Sequence, residues 1–133
     1  MFILPIKSRR QILSGRDNYE RAYKGTYFLF IISQTPPKNA IQSKKYRATD
    51  FVRFLAIVSK KISRKAVIRN KLRRRIKEAF RLVDKQLLQN KYDYQMIVRR
   101  SIFKASMQDI KEEIEKCLKD EVLRINLEEE RKS

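Results

Sequence analysis

The chain contains no histidine, no tryptophan and a single cysteine, Cys117. Without histidine the usual general base and zinc ligand are missing, and one thiol cannot stand in for them, so a zinc site or a Cys/His nucleophile is excluded. One cysteine also excludes an internal disulfide framework, and Cys117 is expected to be a small buried hydrophobe. No run approaches the roughly 18–20 apolar residues of a membrane span. The apolar opening, residues 1–6, is too short for a signal segment, and its basic residues follow rather than precede it. These absences leave a small, soluble, cytoplasmic chain of 133 residues, long enough for one modest core.

Acids are also scarce. There are 33 Lys and Arg against 15 Asp and Glu, for a formal net charge of +18. The imbalance is local: residues 59–81 hold 11 basic residues and one acid, Glu78, whereas residues 105–133 hold six basic residues and nine acids. Charge of one sign at such density repels itself and is retained where a polyanion neutralises it, nucleic acid being the commonest.

Residues 26–33 (TYFLFIIS) and 51–59 (FVRFLAIVS) read as strands, with a shorter β segment near 46–49, and residues 94–98 (YQMIV) as a third strand. Residues 8–14 predict a short helix ended by Gly15, residues 34–45 with Pro36-Pro37 a loop, and residues 91–93 a connector. Residues 67–88 carry no Gly or Pro and give the strongest helical signal. Residues 107–127 give a second long helix, and 128–133 a flexible charged tail beyond a single domain spanning 1–127. The order of elements indicates an α+β domain in which helices cover one small sheet.

On a helical wheel at about 100° per residue, Ile68, Leu72, Ile76, Ala79, Phe80, Val83 and Leu87 form one apolar stripe about 120° wide. Asn70, Arg73, Arg74, Lys77 and Arg81 occupy the opposite side, with Arg69 at the boundary. The arginines can fork onto phosphate oxygens, and Asn70 can both donate and accept at a sugar or base edge. Lys60, Lys61, Arg64 and Lys65 extend the patch through the preceding turn. Tyr19, Tyr23, Tyr27, Phe28 and Phe30 cluster near the first strand, and any of them left exposed would stack single-stranded bases.

The series Ser59-Lys60-Lys61, Lys65-Ala66-Val67, Arg69-Asn70-Lys71-Leu72-Arg73-Arg74 and Lys77-Glu78-Ala79-Phe80-Arg81 resembles the signature of the bacterial ribonuclease P protein subunit, and residues 93–100 (DYQMIVRR) are similar to the strand that follows it. The resemblance implies a small α–β sandwich, ribosomal protein S5 domain 2-like, with one mixed sheet of about four strands, three helices and a left-handed crossover. It implies a subunit that binds a catalytic RNA and the single-stranded 5′ leader of precursor tRNA and promotes removal of the leader. The RNA carries the chemistry with Mg²⁺, and the protein supplies no catalytic residue and no metal ligand. By position, Lys60, Lys61, Arg64, Lys65, Arg69, Asn70, Arg73, Arg74, Lys77 and Arg81 would contact RNA, and Tyr19, Tyr23, Phe28 or Phe30 would stack the leader. The protein is expected to be monomeric without RNA. Two other readings share the basic helix: a structural ribosomal-type RNA-binding protein, and a DNA-binding regulator, which would be a dimer with two-fold spacing.

Overall fold

The computed structural model describes residues 2–6, 21–35 and 51–132, with the backbone alone for residues 2, 5 and 126–132. Strands β1 (Phe2–Pro5), β2 (Arg21–Lys24), β3 (Phe28–Gln34), β4 (Phe51–Ile57) and β5 (Tyr92–Val98) form one sheet in the order β1-β4-β5-β3-β2. Pairing is parallel for β1–β4 and β4–β5 and antiparallel for β5–β3 and β3–β2, so the sheet is mixed. Helix α1 (Ala66–Arg81) joins the parallel neighbours β4 and β5, and helix α2 (Met107–Lys132) closes the chain. Two short 3-10 helices occupy Lys85–Leu87 and Arg100–Lys104.

The α+β class and the mixed sheet match the sequence expectation, but the counts do not. The described residues show five strands and two α-helices, where about four strands and three helices were expected. The unexpected strands are four residues each. One ends in Pro5, tolerable because β1 is an edge strand, and the other, RAYK, carries almost no apolar signal. The helix expected over 8–14, Tyr19, most of the 34–45 loop and the segment near 46–49 lie outside the described residues. The expected connector at 91–93 is mostly strand, since pairing begins at Tyr92, directly after Lys91 turns the chain with φ 63°. The expected tail at 128–133 begins as helix, because the α2 backbone continues through Lys132.

One face of the sheet carries Phe28, Phe30, Ile32, Val52, Phe54, Ala56, Tyr94, Met96 and Val98 into a core shared with Leu72, Ile76, Ala79 and Phe80 of α1 and Ile110, Ile114 and Leu118 of α2. A chain of rings ties the layers together. Phe54 stacks on Phe80 at 4.3 Å between centroids, Phe80 meets Tyr94 at 5.6 Å, and Tyr94 stacks on Phe30 at 5.7 Å. The other face also holds buried residues, among them Ile31, Phe51, Arg53, Asp93 and Gln95. Burial on both faces explains why β3 and β4 read as continuous rather than alternating apolar runs.

Arg53 and Asp93 sit opposite each other in the β4–β5 ladder. The guanidinium donates from Nε to Oδ1 at 2.7 Å and from Nη2 to Oδ2 at 2.6 Å, and Thr35 Oγ1 donates to Oδ1 at 2.7 Å. Such a two-pronged pair satisfies both charges where water cannot reach them.

The carboxylates of α2 fasten the β2–β3 hairpin. Glu113 accepts from the backbone N–H groups of Thr26 and Tyr27 at the turn. A Cβ on Gly25 would stand 2.6 Å from the Glu113 carboxyl carbon, so a side chain there would push that carboxylate off the turn. Glu121, itself buried, pairs with Arg21 and accepts from the Tyr23 hydroxyl. Burial, then that hydrogen bond, pushes the Tyr23 hydroxyl up to about 12.

Cys117 lies in the core, and burial pushes its thiol up to about 11. Thiolate is the reactive form, so Cys117 is expected to resist a disulfide reagent at pH 8 in the native protein and to react stoichiometrically in denaturant. Rapid native labelling would contradict this packing. Among the described residues no helix is long and apolar enough to cross a membrane.

Candidate nucleic-acid interface

Helix α1 is built from strong helix formers with no Gly or Pro. It stops at Arg81, earlier than periodicity suggests. The Leu82 N–H is shared between the Glu78 and Ala79 carbonyls, and Asp84, in extended conformation, uses its carboxylate to cap the next 3-10 turn through Gln86 N at 3.0 Å. A short polar side chain that bonds its own backbone competes with helix continuation. Val83 stays buried and Leu87 half-buried, so the apolar stripe keeps its packing although the helix has ended.

The wheel's two sides are realised. Leu72, Ile76, Ala79 and Phe80 are buried, whereas Asn70, Arg73, Arg74, Lys77 and Arg81 are exposed, as are Lys60, Lys61, Arg64 and Lys65 in the turn before the helix. Four carboxylates of α2 are engaged elsewhere: Glu113 and Glu121 face the hairpin, Asp109 caps its own helix through Ser106 N, and Glu115 pairs with Lys111. Within the ridge, Glu78 meets Arg81 at 3.6 Å with both side chains more than half exposed, a pair that screening leaves weak.

Two ridge residues have internal duties as well. Arg69 is half-buried, and its Nη1 donates to the carbonyls of Ser63 and Arg64, each at 2.9 Å. It therefore fixes the turn that carries Lys60, Lys61 and Arg64. Arg73 Nη1 donates to Asn70 Oδ1 at 2.7 Å, which uses one lone pair of the amide oxygen and orders both side chains on the exposed side of the helix.

Phe28 and Phe30 are not stacking platforms. Both are fully buried, because the pleat of β3 turns residues 28, 30 and 32 toward the helices, and β3 lies between two strands. Tyr23 faces the same side opposite Phe30, half-buried, with its hydroxyl held by Glu121. Tyr19 lies outside the described residues.

An exposed aromatic stands elsewhere. The turn after β4 and the 3-10 helix after β5 enclose an open cleft of about 870 Å³, where Lys60, Lys61, Arg64 and Arg100 surround Phe103, whose surface is 54% exposed. The cleft lies beyond the carboxyl ends of two parallel strands, where crossover connections leave loops free to bind. Sequence reasoning missed Arg100 and Phe103. The signal was there in RRSIFK, an aromatic flanked by cations just after a strand. Among the described residues no group of three or more His, Cys, Asp or Glu could hold a metal ion.

An α+β domain with one helix buried on its apolar side and bare on its cationic side, beside a cationic cleft containing a ring, defines a small nucleic-acid-binding protein. The family model for ribonuclease P matches residues 6–121. The chain is 31% identical over 121 residues to the ribonuclease P protein component of Rickettsia bellii, spanning 90% of this chain and 95% of that protein. It is 45% identical over 62 residues to that of Caldanaerobacter subterraneus, 47% of this chain and 52% of that one. The fold is similar to the RNase P protein from Thermotoga maritima, with a TM-score of 0.57 at 22% identity over 76% of this chain and 83% of that one. It is also similar to the Staphylococcus aureus RNase P protein, with a TM-score of 0.53 at 24% identity over 75% and 79%. The chain belongs to the ribonuclease P protein family, the protein component of the ribonucleoprotein that processes tRNA 5′ ends.

Proposed function

We propose that α1 docks this subunit on the catalytic RNA of ribonuclease P through Asn70, Arg73, Arg74, Lys77 and Arg81, and that the neighbouring cleft takes the single-stranded 5′ leader of precursor tRNA. The observation that carries this reading is the bare cationic side of a helix whose opposite side is core. Phosphate contacts supply affinity without sequence preference, which suits a partner recognised over an extended backbone. Phe103 offers a π-face to a leader base while Lys60, Lys61 and Arg100 hold the flanking phosphates. The protein contributes binding and orientation. The phosphodiester chemistry belongs to the RNA, which holds Mg²⁺, and the protein works in the cytoplasm as a monomer until it meets that RNA.

Reconstitution with the host's catalytic RNA at physiological Mg²⁺ tests the reading. Leader removal is expected to rise severalfold or more when the polypeptide is added. No stimulation would overturn it and favour a structural ribosomal-type role. Phe103→Ala is expected to raise KM for a precursor with a long leader while leaving a precursor with a one-nucleotide leader unchanged. Base–aromatic stacking of about 1–3 kcal/mol sets that loss at roughly fivefold to 150-fold. Equal losses on both substrates would remove the leader from the cleft.

A further inference from the structure

The sheet extends past its helical cover. Beyond the Arg73 and Lys77 flank of α1, between it and the β1–β4 pair, lies a slot of about 150 Å³. Its walls are Ile3, Ile6, Phe54, Leu55 and Ala56, and the two cations stand beside it. An apolar cavity of about this size accepts one benzene-sized ring and excludes a row of side chains. Arg73 is already ordered there, donating to Asn70 Oδ1 at 2.7 Å, and Lys77 follows one helical turn later, so a phosphate fits between them. β1 is the sheet's edge. Its Leu4 pairs with Arg53, and Ile6 N donates to Phe54 O, so by ladder alternation the N–H and C=O of Ile3 point away from β4. They place a donor and an acceptor on the rim, suited to the polar edge of a base.

We infer that this slot takes one unstacked, pyrimidine-sized nucleobase of the bound RNA, with that nucleotide's phosphate between Arg73 and Lys77. The inference rests on the ridge being an RNA surface. It adds a point of insertion to what is otherwise contact with the backbone alone. An acidic peptide would satisfy the cations but leave the ring-sized slot without a matching group.

Methyl NMR of the full chain, titrated with cytidine 5′-monophosphate, cytidine and inorganic phosphate, separates the parts. The nucleotide is expected to shift the methyl signals of Ile3 and Ala56 together with the Arg73 side chain. Phosphate is expected to move the Arg73 side chain alone, and Lys77→Ala to weaken the nucleotide severalfold without altering cytidine. No methyl shift with millimolar nucleotide, or equal methyl shifts with an acidic peptide, would overturn the inference. In the assembled ribonucleoprotein, Ile3→Trp fills the slot, since Ile3 pairs with Val52 and shares its helix-facing side. It is expected to expose one RNA nucleotide to chemical modification while the rest of the footprint persists. An unchanged footprint from a folded Ile3→Trp overturns the slot alone. A wild-type protein with no footprint overturns the RNA reading and the slot with it.

Discussion

Arg74→Glu together with Lys77→Glu is expected to weaken binding to the catalytic RNA by about two orders of magnitude at physiological salt, and to lower the slope of log affinity against log salt by about 2. Each substitution removes one cation from the polyanion and sets a carboxylate in its place. Both side chains are exposed, and neither belongs to the buried stripe of α1. The new carboxylate at 77 gains basic neighbours four residues away on either side, at 73 and 81, while that at 74 meets Glu78. Such pairs shift helix stability by a few tenths of a kcal/mol each. The melting temperature is therefore expected to stay near that of the parent. Filter binding over a series of salt concentrations measures both quantities, and an unchanged slope would mean that phosphates do not lie on this side of the helix.

Asp93→Ala should have the largest effect on stability. The carboxylate is fully buried and holds the Arg53 guanidinium by two bonds and the Thr35 hydroxyl by a third. Its removal leaves a buried cation facing a truncated partner, a loss of about 3–5 kcal/mol. For a domain of this size that corresponds to a melting temperature lower by about 10–20 °C. Replacing both partners, as Arg53→Met with Asp93→Leu, should recover most of the loss, because two buried charges are then removed together. Thermal unfolding followed by circular dichroism decides this. A single mutant as stable as the parent would show that the ion pair contributes little. The pair joins β4 to β5, the two strands that α1 bridges, so it supports the platform beneath the RNA-facing helix.

The helix that carries the proposed function was legible because its signal is local. Apolar residues from Ile68 to Phe80 recur at helical spacing, and the basic residues fall on the other side of the same 16 residues. The longer strands were legible for the same reason, as short aromatic and β-branched runs. What stayed hidden depends on distance along the chain. Nothing near Arg53 announces Asp93, 40 residues later, and nothing near Arg21 and Tyr23 announces Glu121, about 100 residues later. Those partners decide that a polar tetrapeptide becomes a strand. The aromatic assignment failed for a related reason. The pleat shows that Phe28 and Phe30 share a face, but only the position of β3 inside the sheet shows that this face is covered. Phe103 was overlooked because it sits on a 3-10 turn, where no periodicity marks which side chains point outward.

The role proposed for α1 depends on which of its sides the RNA approaches. A photo-crosslinking residue placed at Asn70, and in a second protein at Glu112 on α2, reports that directly once each is assembled with the catalytic RNA. Both positions are exposed, and the acidic helix serves as the control surface. Strong crosslinks to defined nucleotides from position 70, with few from position 112, are the predicted result. Crosslinks from position 112 equal to or exceeding those from position 70 would contradict it.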